Sequence, residues 1–115
     1  MLHPLVMMID HLSDTTFEHV VLLSAEPVLV SFIGTECGPW NAMSWALEQV
    51  AKHMHGQLKV AKLDVTRSPG LRARYEIHGL PTLILFNQGE PVARRLGAVA
   101  RTEDLEAWIK ASIAI

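Results

Sequence analysis

The chain has 115 residues, 50% hydrophobic and 19% charged, a globular composition for which a single domain over residues 1–115 is expected. A formal net charge of −2 provides no basic face for nucleic acid, and no apolar run reaches the ~20 residues of a membrane-spanning helix. One cysteine, Cys37, excludes an internal disulfide and with it a secreted disulfide scaffold. The apolar start MLHPLVMMID lacks a basic n-region and a small-residue cleavage site, so a soluble cytoplasmic protein is expected.

In chain order, Leu5–Ile9 reads as a short strand. Ser13 or Asp14 then caps a helix with Phe17, Val20 and Val21 as its apolar positions. The run Pro27–Ile33 (PVLVSFI) has the length and continuity of a strand buried on both faces, and Gly34–Pro39 ends it. A helix is predicted from near Pro39 to Met54, with Met43, Leu47, Val50 and Met54 as its stripe and Ala46 beside it; Trp45 lies off that stripe. Leu58–Val65 is read as a strand, and Ser68–Tyr75 as a short helix with Pro69 near its first position. Pro81–Phe86 is a strand, Asn87–Glu90 a tight turn built on Gly89, and Val92–Leu96 the return strand. Thr102 caps a last helix that turns Leu105, Trp108, Ile109 and Ile113 to one side.

The order βαβαβαββα implies an α/β fold: a central mixed sheet with helices on both faces. Strand–helix–strand units before Asn87 predict parallel pairing, and the NQGE hairpin adds antiparallel strands at the end.

Between the buried strand and the following helix stands Glu36-Cys37-Gly38-Pro39-Trp40, which resembles the Trp-Cys-Gly-Pro-Cys active-site segment of the thioredoxin family. Lys62-Leu63-Asp64, Ser68-Pro69-Gly70, Gly79-Leu80-Pro81-Thr82, Asn87-Gln88-Gly89-Glu90 and Gly97-Ala98 resemble further family motifs in the same order. The likeness runs from about Ile9 to Ile113 and implies the thioredoxin fold, with Pro81 in a cis-proline loop facing Cys37.

The departures fall where the family's chemistry resides. The resemblance makes Cys37 the candidate nucleophile, acting as a thiolate favoured by a helix N-terminus. A lone cysteine without that context is usually a small buried hydrophobe. Trp40 stands in place of the resolving cysteine, so a mixed disulfide on Cys37 has no internal route of release and requires an outside thiol such as glutathione. Ser31 stands where the family carries a buried aspartate; the hydroxyl is no general base near neutral pH, and a bond to backbone is expected of it. Lys62 resembles that aspartate's partner and is left without its charge mate. Glu36 replaces the flanking tryptophan, and its carboxylate opposes the thiolate. Ile33 replaces an earlier tryptophan, and Trp45 a kink proline.

The groove implied by the resemblance comprises Trp40, Gly79, Leu80, Pro81, Gly97 and Ala98, and would take an extended peptide by strand-like addition. Trp40 is read either as a binding anchor or as filler packed into the helix interior.

Elsewhere, His3, His11 and His19, and the pair His53 and His55, lack metal-ligand spacing, and no metal or other cofactor is expected. His78, before Gly79-Leu80-Pro81, is read as solvated surface or as a neighbour of Cys37. Arg72, Arg74, Arg94 and Arg95 are read as exposed charges. Two functions stay open. One is a redox-degenerate, protein-binding or chaperone-like module in thiol homeostasis. The other is a monothiol oxidoreductase that uses Cys37 with glutathione. The expected partner is a protein or peptide bound near Cys37, on a monomer or weak dimer.

Overall fold

In a computed structural model, residues 9–35 and 42–115 are described. Five strands form one sheet in the order β1-β3-β2-β4-β5. They are β1 Ile9–Leu12, β2 Val28–Ile33, β3 Lys59–Asp64, β4 Thr82–Asn87 and β5 Glu90–Leu96. Three α-helices accompany them: α1 Ala42–His53, α2 Pro69–Arg74 and α3 Thr102–Ser112. The sheet is mixed and flanked on both sides, as expected of the thioredoxin fold.

The first helical segment is reduced to a wide π-helical turn, Glu18–Leu22. Ser13 opens it: the amides of Thr16 and Phe17 donate to the Ser13 carbonyl, and the Ser13 amide donates to Thr16 Oγ1 at 2.9 Å. This reciprocal arrangement satisfies donors that a helix start leaves orphaned. Phe17 and Val21, one turn apart, are both buried. The first strand begins at Ile9, where the predicted one ends; the rest of Leu5–Ile9 lies outside the described residues.

β1 and β2 both run parallel to β3, but β4 runs antiparallel to β2, which corrects the parallel reading of that unit. The reason is length. Six-residue α2 spans about 9 Å, whereas a six-residue strand such as β3 spans about 20 Å, so the helix does not carry the chain back along the sheet. The next strand therefore enters from the same end, pointing the other way. β5 then follows through a hairpin whose central residues Gln88 and Gly89 have φ of 52° and 82°, the mirror-image turn that suits the twist of paired strands. A Cβ on Gly89 would stand 2.8 Å from the Leu22 carbonyl oxygen, so glycine is required there twice over. The return strand is longer than the predicted Val92–Leu96, and a bulge falls opposite Leu85 and Phe86.

Alternation along the strands divides the core in two. On one face Leu29, Val60, Leu83 and Leu85 pack under α1 and α3, meeting Met43, Ala46, Leu47, Val50, Leu105 and Ile109. On the other, Val28, Val30, Phe32, Ala61, Leu63, Ile84 and Phe86 pack under the π-turn and α2. The α1 stripe is thus the predicted one, and Trp45, off the stripe, is 62% exposed. Thr102 is the first helical residue of α3 and Arg101 its cap position, one residue earlier than expected. No helix among the described residues is long and apolar enough to cross a membrane.

Candidate functional site

Glu36, Cys37, Gly38, Pro39 and Trp40 lie outside the described residues. The structure does describe what borders them: the end of β2, the start of α1, the loop before β4 and the end of β5.

The loop Gly79–Pro81 and the chain after β5 are brought together. The Leu80–Pro81 peptide bond is cis. The Pro81 carbonyl accepts the Gly97 amide at 2.9 Å. Gly97 has φ of 101°, a left-handed conformation that glycine adopts without strain. Gly79 lies against Leu96, whose side chain would meet a Cβ there at 2.8 Å. The Thr82 hydroxyl donates to the Gly79 carbonyl at 2.6 Å, closing the loop on itself. Leu80 packs towards Gly34 at the end of β2, its Cδ1 2.8 Å from the position of an added Cβ. Gly79, Leu80, Pro81 and Gly97 are half-buried, and Ala98 and His78 are exposed. Leu96, which the sequence reading did not single out, is 68% exposed and adds an apolar side chain beside Gly79.

Ser31 sits mid-strand in β2, fully buried, paired with Lys62 on β3 and Leu83 on β4. Cross-strand partners share a face, so Ser31 and Lys62 both look towards the α1 side. The backbone bond expected of Ser31 is not made: its Oγ has no hydrogen-bond partner among the described residues. A mid-strand serine turned into a core has its nearest carbonyls committed to the sheet ladder, which leaves the hydroxyl little to reach.

A second polar group, missed from sequence, lies next to the motif. Asp64 ends β3, and its Oδ1 accepts the Thr66 amide at 2.9 Å and also the Thr66 hydroxyl. Thr35 Oγ1 is 2.8 Å from Thr66 Oγ1 and 3.3 Å from Asp64 Oδ2. The Thr66 hydroxyl holds the Asp64 carboxyl below its ordinary value, against a smaller opposing effect of burial; the Thr66 amide, Thr35 and Arg67 lower it further. An acidic residue at a strand end followed two residues on by threonine is the sequence sign of such a turn.

The arginines are more engaged than expected. Arg94 donates to the carbonyls of Tyr75 and Glu76, half-buried Arg72 donates through Nε to the Ile77 carbonyl at 3.0 Å, and Arg74 lies 5.2 Å from the Tyr75 ring centre. Arg95 is half-buried. All but Arg95 thus serve the end of α2. His53, at the end of α1, meets Glu106 of α3 at 2.7 Å. Among the described residues no group of three or more His, Cys, Asp or Glu is placed to hold a metal ion.

Comparison with known proteins agrees with this architecture. The thioredoxin family model matches residues 8–111. A thioredoxin-like protein of Synechocystis sp. is 44% identical over 81 residues, 70% of this chain and 77% of that protein. A thioredoxin of Acidithiobacillus ferridurans is 38% identical over 93 residues, 81% and 86% of the two chains. A thioredoxin of Pseudomonas aeruginosa is 35% identical over 105 residues, 91% of this chain and 96% of the other. With its mixed sheet, its cis-proline loop joined to the end of β5, and these likenesses along nearly its whole length, the chain belongs to the thioredoxin family.

Proposed function

We propose that this protein is a redox-degenerate thioredoxin, a module in thiol homeostasis that binds protein or peptide partners and does not turn over as a dithiol reductase. One observation carries the reading: Cys37 is the sole cysteine, and Trp40 occupies the position where the resemblance calls for a second. A dithiol reductase must release its mixed disulfide by attack from a neighbouring thiol, and this chain has none to offer. The groove is supported by what surrounds the motif. Gly79, Leu80, Pro81 and Gly97 form a half-buried surface, extended by exposed Leu96 and Ala98, of a kind that receives an extended peptide. Trp40 would add a large apolar anchor with one donor. A cytoplasmic location and a monomeric or weakly dimeric state belong to the same proposal.

The test is insulin disulfide reduction. With dithiothreitol, the protein should give no rate above the dithiothreitol background. Sustained turnover with thioredoxin reductase would overturn the reading.

The retained Cys37-Gly38-Pro39 favours a second reading, a monothiol oxidoreductase. Here the Cys37 thiolate attacks the glutathione sulfur of a glutathionylated protein and displaces the protein sulfur as thiolate, leaving a mixed disulfide between Cys37 and glutathione. A second glutathione then attacks the glutathione sulfur of that mixed disulfide, releasing glutathione disulfide and the Cys37 thiolate. That reading requires glutathione-dependent deglutathionylation that disappears in Cys37→Ser.

A further inference from the structure

β5 is the last strand of the sheet, so one of its edges has no neighbouring strand among the described residues. One bond fixes which of its backbone groups face that edge. The Gly97 amide donates to the Pro81 carbonyl, one step beyond the opposed pair Thr82 and Leu96. In an antiparallel ladder, residues that exchange hydrogen bonds alternate with residues that turn their amide and carbonyl outward. Gly97 faces β4, so Leu96 and Arg94 turn their backbone groups to the open edge. The earlier half of the strand is guarded: Pro91 has no amide to give, and the ladder is bulged opposite Leu85 and Phe86. The stretch from Arg94 to Leu96 is left as a template for an added strand. Arg94 and Leu96, two residues apart, also share one face. There Leu96 is exposed beside Gly79, and Arg94 reaches the carbonyls of Tyr75 and Glu76. Arg72 donates to the Ile77 carbonyl, and exposed Arg74 lies over the Tyr75 ring. Three guanidinium groups thus converge on residues 75–77. None makes an ion pair among the described residues, and Glu76, the carboxylate of that stretch, pairs with none of them. A guanidinium already fixed to backbone loses little freedom on taking a carboxylate, and it keeps further N–H groups for the purpose.

We propose that the end of β5 is a docking edge for an extended acidic segment of a partner protein, with an apolar side chain of that segment on Leu96 and a carboxylate two residues away meeting Arg94 and Arg74. This rests on the protein-binding reading above and names the partner's chemistry. The outward backbone groups of Arg94 and Leu96 pair with the added strand, as in other strand additions. The spacing of Arg94 and Leu96 selects an acidic and an apolar residue with one residue between them. The unpaired arginines attract an acidic segment and repel a basic one, although the chain as a whole carries a net charge of −2. A second copy of this chain does not suit the edge. Antiparallel pairing of residues 94–96 with themselves sets Arg95 opposite Arg95, and like charges directly opposite are destabilising.

The experiment is a titration of the isotope-labelled full chain, followed by the chemical shifts of its backbone amides. The probe is the peptide Thr-Glu-Thr-Val-Thr-Glu-Thr, blocked at both ends, whose symmetry serves either strand direction. A control peptide has glutamine in place of each glutamate. The glutamate peptide should shift the amides of Arg94 and Leu96. At low salt it should bind about three- to tenfold more tightly than the control, an advantage that fades as salt screens the charges. Arg74→Gln and Arg94→Gln should each weaken the glutamate peptide about two- to fivefold and leave the control unchanged. If Arg94→Gln disturbs residues 75–77, Arg74→Gln, at an exposed position, decides. Equal affinity of the two peptides at low salt overturns the proposal, and so does a glutamate preference that survives both substitutions, or the absence of any shift. Equal affinity with shifts at Gly79 and Leu80 would leave the groove of the binding-module reading standing without the acidic preference. Glutamate-dependent shifts at Arg94 and Leu96 that leave Gly79 and Leu80 unmoved would uphold the docking edge and count against the groove.

Discussion

The two faces of the one sheet are built differently. Under α2 and the π-turn the packing is apolar and aromatic. Tyr75 stands 5.3 Å from Phe86, edge to face, 5.6 Å from Phe17 and 6.1 Å from Phe32. Thr82, a buried hydroxyl on that side, has its acceptor in the Gly79 carbonyl. Under α1 and α3 the apolar row Ile9, Val60, Leu29, Leu85 and Ala93 is followed by His11, Lys62, Ser31, Leu83 and Arg95, aligned across all five strands. In the middle of that second row is a fully buried hydroxyl without a partner among the described residues. A polar group buried without a hydrogen bond lowers stability. One face is therefore apolar and aromatic packing with its buried Thr82 hydroxyl satisfied. The other keeps a polar position where the family resemblance puts a functional acid, but the acid is gone.

The largest effect that sharpens this contrast belongs to the aromatic face. Phe86→Ala removes a fully buried ring that contacts both Phe17 and Tyr75, and should cost about 3–5 kcal/mol, read as a lower urea midpoint. A loss under about 1 kcal/mol would mean the cluster collapses around the gap, against the close packing described here.

The next comparison sets the buried hydroxyls of Thr82 and Ser31 against each other. Thr82→Val strips the Gly79 carbonyl of its donor and should cost about 1–3 kcal/mol. Ser31→Ala should be neutral, or stabilising by up to about 1 kcal/mol, because it removes a group that was never satisfied. Opposite signs for two hydroxyl deletions in one sheet would be hard to obtain otherwise. Denaturant unfolding of both variants settles it, and a destabilised Ser31→Ala breaks the contrast.

The same two faces mark how far the sequence could be read. Pro27–Ile33 was continuous enough to announce a strand covered on both sides, and the Met43, Leu47, Val50 stripe named the helix side that meets it. Gly89 announced its hairpin because a turn of that hand needs residues with positive φ. The alternation of strand and helix points to a parallel β4, and only the brevity of α2, six residues long, marks the reversal. What escaped altogether were partnerships at long range. The Asp64–Thr66 turn is local and has a signature, but Thr35 joins it from 29 residues away. Ser31 shows the complementary limit: composition suggested a hydroxyl that finds backbone, and only the ladder around it shows the nearby carbonyls to be spoken for.

The smallest effect concerns Asp64, placed beside Ile33 just beyond the polar row on the α1 side. Donation from Thr66, helped by Thr35, holds its carboxyl below the usual 3.8 in the folded protein. A carboxyl depressed by folding stabilises the fold while it is ionised. That contribution is complete above the unfolded value and is lost as pH falls through the folded one. The stability difference between wild type and Asp64→Asn should therefore stay level from neutral pH down to about pH 5, then shrink as the pH drops below 3.8. The group is open to solvent, so the whole difference should be under about 1 kcal/mol. A difference that persists unchanged to pH 2.5 would show that the carboxylate's charge is irrelevant to its bonds with Thr66 and Thr35.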